Sequence, residues 1–151
     1  MTRAGNDDGC FFCSHLASSD DEATGVLSRR NRTFVVLNAF PYNSGHLMVA
    51  PNRHVGDFGD VTPEELHELI EETQRCVSIL EGAYSAHGFN VGMNLGNVAG
   101  AGVPGHLHVH VVPRWGGDTN FMPVVGETKV LPEMLKDTYA KLHPLFSQSS
   151  A

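Results

Sequence analysis

The sequence predicts an α+β fold in which helices pack on one side of an antiparallel β-sheet. Two apolar stretches, residues 33–38 and 46–51, are joined by a short segment rich in turn-forming residues, and so short a connection favours antiparallel strands. A long amphipathic helix follows, then a strand, a glycine-rich loop, another strand and a second helix. Helices with one apolar face bury that face against such a sheet.

The length, composition and charge of the chain limit what it can be. Its 151 residues suffice for one core without disulfides, so we expect a single domain over 1–151 with flexible ends at 1–9 and 147–151. A formal net charge of −7 argues against nucleic-acid partners. No apolar run approaches the ~18 residues of a membrane span, and the first residues do not resemble a signal peptide. Three cysteines, an odd number, do not form a disulfide framework, so we expect a cytoplasmic protein without membrane partners.

The first strands of the sheet are predicted from β-branched and aromatic residues. Thr33–Asn38 has this composition, Phe40–Gly45 is dense in turn formers, and His46–Pro51 is the expected return strand. The acidic segment Ser18–Glu22 is interpreted as a connector that precedes this hairpin.

The clearest helix signal begins at Thr62. Thr62 can cap the helix, Pro63 suits its first position, and Glu65 completes a Thr-x-x-Glu capping box. Apolar residues then recur at helical spacing, and Gly88 is the expected stop. Cys76 lies on the apolar stripe, so we assign it to the core.

The second half of the chain supplies a strand, a loop and a helix. Phe89–Leu95 alternates as a strand, and Gly96–Gly105 holds four glycines and one proline. This loop lacks the lysine and the spacing of a Walker or Rossmann motif, although it can bring backbone N–H groups close to a ligand. Pro132–Leu142 predicts a C-terminal helix.

Three histidines alternate with apolar residues in the predicted strand Gly105–Trp115. Side chains of a strand alternate between its faces, so His106, His108 and His110 share one face, and the outer two lie about 13 Å apart. One metal ion cannot bind all three. Either two neighbours share an ion, or one histidine binds a metal while another has a different role.

A second group of potential ligands lies near the N-terminus. Cys10 and Cys13 are spaced to bind one metal ion, but a zinc site needs two further ligands, for which His54 is the first candidate. Two other interpretations of the cysteines are a thiol-redox pair and two small buried residues.

The segment His106–Val112 resembles the signature of the histidine triad (HIT) superfamily of nucleotide hydrolases and transferases. Gly45–Pro51 is similar to the family's second strand, and Asn94 lies where the family has a phosphate-contacting asparagine. Pro113–Trp115 with Gly117–Phe121 resembles the branch of bacterial diadenosine tetraphosphate phosphorylases more than the phosphoramidase branch. The resemblance implies a HIT-like sheet of about five strands, with a long helix and a C-terminal helix packed on it.

The resemblance also implies chemical roles. The middle histidine, His108, attacks the α-phosphate of a nucleotide or dinucleoside polyphosphate, and water or another acceptor then releases the nucleotidyl group. His110 donates a hydrogen bond to the developing charge. The other expected nucleotide contacts are Asn38, His46, Asn94, Gly105, Arg114, Phe12 and Leu37. The apolar material for a base pocket is Phe11, Phe12, Phe34, Leu37 and Phe40.

Zinc-bearing members of the superfamily imply a closed structural site formed by Cys10, Cys13, His54 and His106. His106 then binds metal, which leaves His108 and His110 for the phosphate. The rival arrangement, a catalytic metal held by His106 and His108, leaves the two cysteines unexplained.

Two alternative functions stay open. Phosphoramidases of the superfamily carry a serine that protonates the leaving amine, and the matching residue here is Val103, which has no proton to give. This departure weakens a purine nucleoside phosphoramidase activity more than an activity on dinucleotides. The non-enzymatic alternative is a zinc-stabilised nucleotide-binding module, against which the intact triad argues. The resemblance further implies a homodimer.

Overall fold

The computed structural model describes residues 9–118 and 133–148. The helices and strands are, in chain order, α1 (Phe11–Ala17), α2 (Asp21–Thr24), β1 (Val26–Arg29), β2 (Thr33–Leu37), β3 (Leu47–Pro51), α3 (Pro63–Tyr84), β4 (Gly88–Gly92), β5 (Val109–Arg114) and α4 (Leu135–Gln148). The sheet has the order β1-β2-β3-β5-β4, and all neighbouring strands are antiparallel. The predicted α+β fold with five antiparallel strands is therefore confirmed.

The predicted hairpin forms from β2 and β3. Their register runs from the pair Thr33 and Pro51 to the pair Leu37 and Leu47. In the turn before β3, Gly45 has a φ of +84°, and a Cβ there would lie 3.2 Å from the side chain of Leu80. Because a side chain would be strained by this φ and crowded by α3, glycine allows the hairpin to pack closely on the helix.

The long helix α3 begins as expected but ends earlier. The Thr62 hydroxyl accepts from the Glu65 N–H and the Glu65 carboxylate accepts from the Thr62 N–H, which completes the capping box. The helix ends at Tyr84, because Ser85 adopts a left-handed conformation with φ 51°. Gly88, expected to stop the helix, instead begins β4 opposite Arg114.

Three elements near the N-terminus are absent from the sequence-based interpretation: α1, α2 and β1. The segment interpreted as a connector contains the start of α2, where Asp20 accepts a hydrogen bond from the Ala23 N–H at 3.1 Å. In the second half, the expected start of the C-terminal helix at Pro132 lies outside the described residues. That helix continues to Gln148, two residues into the end predicted to be flexible, and its Phe146 is buried in the core. The remaining predicted flexible residues, 1–8 and 149–151, also lie outside the described residues.

The sheet separates two cores. On one face the apolar sides of α3 and α4 pack against Val35, Val49 and Val109. On the other face the short helix α1 covers Val36 and Met48. The strand predicted over Gly105–Trp115 is shorter than expected, since β5 begins at Val109, after the first two histidines.

Cross-strand pairing places the last histidine on the face covered by α1. Met48 pairs with His110 on one side and with Val36 on the other, so all three side chains point to that face. Among residues 9–118 and 133–148, the helices are all too short or too polar to cross a membrane.

Candidate active site and metal cluster

Four potential metal ligands converge from three parts of the chain. Cys10 caps the N-terminus of α1 and Cys13 lies in its first turn, so the short helix presents both sulfurs together. His54 follows the end of β3, and His106 precedes β5. The four ligand atoms all lie within 4.8 Å of one another.

The distances within this Cys/His cluster match tetrahedral coordination. Sγ of Cys10 lies 3.4 Å from Nδ1 of His106, and Sγ of Cys13 lies 3.3 Å from Nδ1 of His54 and 3.6 Å from Nδ1 of His106. A tetrahedron with Zn–S bonds of about 2.3 Å and Zn–N bonds of about 2.1 Å has S···N edges of about 3.6 Å. Two thiolates and two imidazoles therefore fit a closed zinc site in both chemistry and geometry.

The protonation of His106 also suits a metal ligand. Its Nε2–H donates to the carbonyl oxygen of Pro51 at 2.7 Å, which places the proton on Nε2 and leaves the lone pair of Nδ1 facing the sulfurs. The ring is fully buried. A backbone hydrogen bond on the outer nitrogen is the usual way in which proteins orient a histidine ligand.

His108 has the opposite arrangement. Its Nδ1–H donates to the carbonyl oxygen of His106 at 2.8 Å, so the proton lies on Nδ1 and Nε2 is the free nitrogen. The ring of Phe12 packs beside it at a centroid distance of 4.7 Å. Burial lowers the pKa of His108, although its backbone hydrogen bond opposes the shift. The result is an oriented, neutral imidazole at the wall of a cavity.

A second pair of histidines is oriented by the backbone. The Tyr42 N–H donates to Nδ1 of His46 at 3.1 Å, so a neutral His46 carries its proton on Nε2. That Nε2–H points to Nδ1 of His110 at 3.0 Å, and His110 must therefore carry its own proton on Nε2. The Asn38 amide nitrogen lies 3.3 Å from His46 Nε2, and since both are donors in this tautomer the contact is not a hydrogen bond; the Asn38 amide oxygen accepts from the Phe40 N–H instead.

Burial keeps this histidine pair neutral. The pKa of His46 falls to about 3, mainly because of burial, with smaller contributions in the same direction from the neighbouring His110 and His108. Burial likewise lowers the pKa of His110 to about 4, with a smaller contribution from His108. At neutral pH the chain from the Tyr42 N–H therefore ends in a hydrogen-bond donor on His110.

A cavity of about 870 Å³ opens beside His108 and His110. Of the other residues predicted to contact a nucleotide, Leu37, Asn38 and Asn94 line it, as do Phe11 and Phe40 from the proposed base pocket. The structure thus brings the triad's last two histidines together with five of the ten expected polar and apolar contacts.

Other predicted contacts lie away from the cavity wall. Phe12 is fully buried and packs against the histidine rings, so its neighbour Phe11 faces the cavity in its place. His46 is buried behind His110, and Phe34 is fully buried in the core under α1.

Gly105 and Arg114 also lie elsewhere. The position of a Cβ on Gly105 is 3.4 Å from Nε2 of His54, beside the Cys/His cluster. Arg114 forms an ion pair with Asp118 at 2.7 Å and donates to the Asn90 side chain, so its charge is already compensated. The phosphate contact expected of Arg114 would require this ion pair to break.

Sequence patterns did not indicate several residues of the cavity wall. These residues come from α1, the turn into β1, the hairpin loop and α4, and they include His15, Thr24, Gly25, Tyr42, Lys136 and Tyr139. They are distant in sequence from the triad and belong to no local motif. Only Tyr42 among them is close in sequence to a predicted site residue, since it lies in the turn four residues before His46.

The chain is similar in sequence to known nucleotide-processing proteins. Residues 20–117 match the HIT domain. The chain is 49% identical over 125 residues to an AP-4-A phosphorylase of Mycobacterium tuberculosis, an alignment that covers 83% of this chain and 64% of that protein. It is 36% identical over 89 residues to the asymmetrical bis(5'-nucleosyl)-tetraphosphatase of Schizosaccharomyces pombe, covering 59% of this chain and 48% of that protein.

Among solved structures, a Zn-bound histidine triad family protein from Mycobacterium smegmatis is similar, with a TM-score of 0.75 and 26% identity. The similarity covers 94% of this chain and 96% of that one. With the triad, the sheet and the match over residues 20–117 in agreement, the chain belongs to the HIT domain family.

Proposed function

We propose that this chain is a nucleotidyl-transferring enzyme that cleaves dinucleoside polyphosphates at the α-phosphate through a covalent nucleotidyl-His108 intermediate. The observation that carries the proposal is the pair of opposite tautomers at the cavity. His108 offers the lone pair of Nε2, while His110 offers an Nε2–H donor, and both line the same space. A nucleophile beside a fixed donor is the arrangement that attack on a phosphate requires.

The reaction proceeds in two displacements. Nε2 of His108 forms a bond to the α-phosphorus, and the bond from phosphorus to the bridging oxygen breaks, so the leaving nucleotide departs with the electron pair. The Nδ1–H bond to the His106 carbonyl stabilises the positive imidazole that results. The oxygen of water or inorganic phosphate then attacks the phosphorus, the N–P bond breaks, and His108 regains its lone pair; when water is the acceptor, it loses its proton to solvent.

The relatives support dinucleoside polyphosphates as the substrate class. Two proteins similar to this chain are named for activity on such compounds. The chain spans 64% of the length of the AP-4-A phosphorylase relative, so the activity is proposed here from the site and not transferred with the name. Hydrolysis and phosphorolysis share the same adduct and differ only in the acceptor.

The two alternative functions are less well supported by the site. A phosphoramidase needs a proton for the leaving amine, and Val103, which lines the cavity, has none. A binding module without turnover would not need the tautomers of His108 and His110 to be set in opposite senses by separate hydrogen bonds.

We further propose that the Cys/His cluster binds zinc as a structural ion. Cys10, Cys13, His54 and His106 would hold it, and a closed shell of four protein ligands would tie α1 to the ends of β3 and β5. This site would stabilise the fold and would fix His106, the residue whose carbonyl orients His108.

Assembly and location are proposed on similar grounds. β4 is the last strand of the sheet, and Val91 on it is 49% exposed, so a second copy can continue the sheet there and form a homodimer. Cysteines arranged as metal ligands, with no disulfide among the described residues, suit the reducing cytoplasm.

A substrate panel with trapping of the intermediate tests the proposed function. We expect turnover of diadenosine polyphosphates but not of adenosine phosphoramidate, and comparison of reactions with and without inorganic phosphate identifies the acceptor. During turnover of a substrate labelled at the α-phosphate, the label should appear on His108 in a quench that avoids acid. Turnover without any labelled protein would exclude the covalent route, and no turnover of the whole panel would exclude the enzyme.

A further inference from the structure

The cavity extends well beyond the histidines, across the sheet. Val26, Val36, Met48 and His110 occupy one row, paired strand to strand from β1 to β5. Three strand spacings of about 4.8 Å put the β1 side of this row about 14 Å from His110. The cavity reaches that side, since Gly25, the residue before β1, also lines it.

The far end of the cavity includes a helix from outside the family match. Lys136 and Tyr139 of α4 line the same cavity as His108, although the HIT match ends at residue 117. Glu22 of α2 lines it as well. This end is therefore built partly from a segment that the family pattern does not include.

The charges at this end suit a neutral group with polar edges. Glu22 and Lys136 are both exposed, and neither forms an ion pair with any described residue, so a ligand can reach both. Burial raises the pKa of Tyr139, and the carboxylates at the start of α2, those of Asp21, Glu22 and the capping Asp20, contribute in the same direction. An end so close to several carboxylates disfavours additional phosphate groups.

We propose that α4 completes a nucleobase site at this end of the cavity, with Lys136 and Glu22 recognising the polar edge of a purine. A purine edge presents adjacent hydrogen-bond donors and acceptors, which an ammonium and a carboxylate complement. With its α-phosphate at His108 and His110, a nucleoside monophosphate lying across the strands directs its base toward β1 and α4. The inference rests on the proposed nucleotide function and adds a specificity determinant to it.

The experiment compares two ligands that differ by the base. AMP and ribose 5-phosphate share the sugar and the phosphate, so the ratio of their dissociation constants measures recognition of adenine. Lys136→Met removes the ammonium and keeps an unbranched side chain, and we expect about tenfold weaker AMP binding with ribose 5-phosphate unchanged, the scale of one charge-assisted hydrogen bond. Lys141→Met, on the same helix but outside the cavity, changes the net charge equally and is the matched control.

The possible results separate the inference from the proposed function. Equal weakening of AMP and ribose 5-phosphate by Lys136→Met would place Lys136 on the phosphate and overturn the base site. An unchanged AMP affinity, or an equal loss in Lys141→Met, would overturn it too. Wild-type protein that binds neither ligand would remove the proposed nucleotide function itself, whereas loss of AMP binding limited to Lys136→Met supports the inference.

Discussion

His106 and His108 are two residues apart and nearly equally buried, yet their ring nitrogens are used in opposite ways. His106 donates Nε2–H to Pro51 and keeps Nδ1 for the sulfurs, whereas His108 donates Nδ1–H to His106 and keeps Nε2 for the cavity. In each case the backbone carbonyl accepts a hydrogen bond and so fixes which ring nitrogen carries the proton. The carbonyl that accepts from His108 belongs to His106, so the proposed metal ligand directly orients the proposed nucleophile.

The proposed role of each histidine depends on the group that its outer ring nitrogen contacts. A buried carbonyl on Nε2 leaves the lone pair on Nδ1, as the proposed ligand His106 requires, and a carbonyl on Nδ1 leaves it on Nε2, as the proposed nucleophile His108 requires.

Replacement of the proposed nucleophile should have the largest effect. His108→Asn should reduce turnover of a dinucleoside polyphosphate by about 10⁴-fold or more, since no other described group replaces the Nε2 lone pair. Zinc content, measured by metal analysis of the purified protein, should not change. His106→Asn should have the opposite outcome, with a larger decrease in zinc content than in turnover. A His108→Asn protein that turns over at the wild-type rate would return the triad to a structural role.

Loss of a cluster cysteine should lower stability by several kcal/mol, because metal-binding energy in a closed site is folding energy. Cys13→Ala should reduce zinc to well below one ion per chain and lower the melting temperature. Cys76→Ala is the matched control, because Cys76 is fully buried on α3, in the core on the opposite face of the sheet from Cys10. Its loss should cost about 1 kcal/mol and leave zinc unchanged. Equal zinc content in both variants would contradict a metal site at Cys13.

His110→Asn should reduce turnover by about 10²- to 10³-fold, the usual effect of removing one donor to developing charge. Because His108 keeps its own carbonyl partner, the labelled intermediate should still form, only more slowly. Single-turnover measurements with labelled substrate separate this outcome from a loss of binding. A decrease as large as that of His108→Asn would mean that His110 takes part in the covalent step itself.

The sequence indicated the parts of the site whose chemistry is local. Alternation of the three histidines, the spacing of Cys10 and Cys13, and the capping box at Thr62 each follow from residues within a few positions of one another. The ligand set required a resemblance, since nothing in the spacing connects residue 10 with residue 106. The structure brings these four ligand atoms together, which is the arrangement that the resemblance implied.

Other features could not be predicted, for identifiable physical reasons. α2 and β1 have four residues each, too few to show a period. Of two adjacent phenylalanines, one must face inward, and only the packing of α1 shows that it is Phe12, which lies against His108. The sequence does not show that Arg114 forms an ion pair with Asp118, four residues later, because this pairing depends on the turn after β5. The part of the cavity wall in α4 depends on tertiary packing alone.

The smallest effect expected concerns pH, and it tests whether His46 is the buried, neutral donor in the chain to His110. Its pKa in the folded protein is about 3, below the ordinary 6.5 that it regains on unfolding. Between these values the unfolded state binds a proton that the native state does not. The contribution of neutral His46 to the free energy of unfolding is therefore fully present above pH 6.5 and is lost as the pH falls toward 3. The loss approaches about 1.4 kcal/mol per pH unit within this window.

Denaturant unfolding of zinc-saturated protein between pH 7 and pH 5 measures this loss. His46→Gln cannot take up the proton, so its free energy of unfolding should fall less steeply over that range than that of the wild type. The matched control is His67→Gln, since the His67 side chain is 76% exposed on α3 and its removal should leave the slope nearly unchanged. Both variants keep the four cluster ligands, so protonation of those ligands contributes equally and cancels in the comparison. Parallel curves for His46→Gln and the wild type would show that His46 does not resist protonation, and the hydrogen-bond chain that gives His110 its donor would then lose its support.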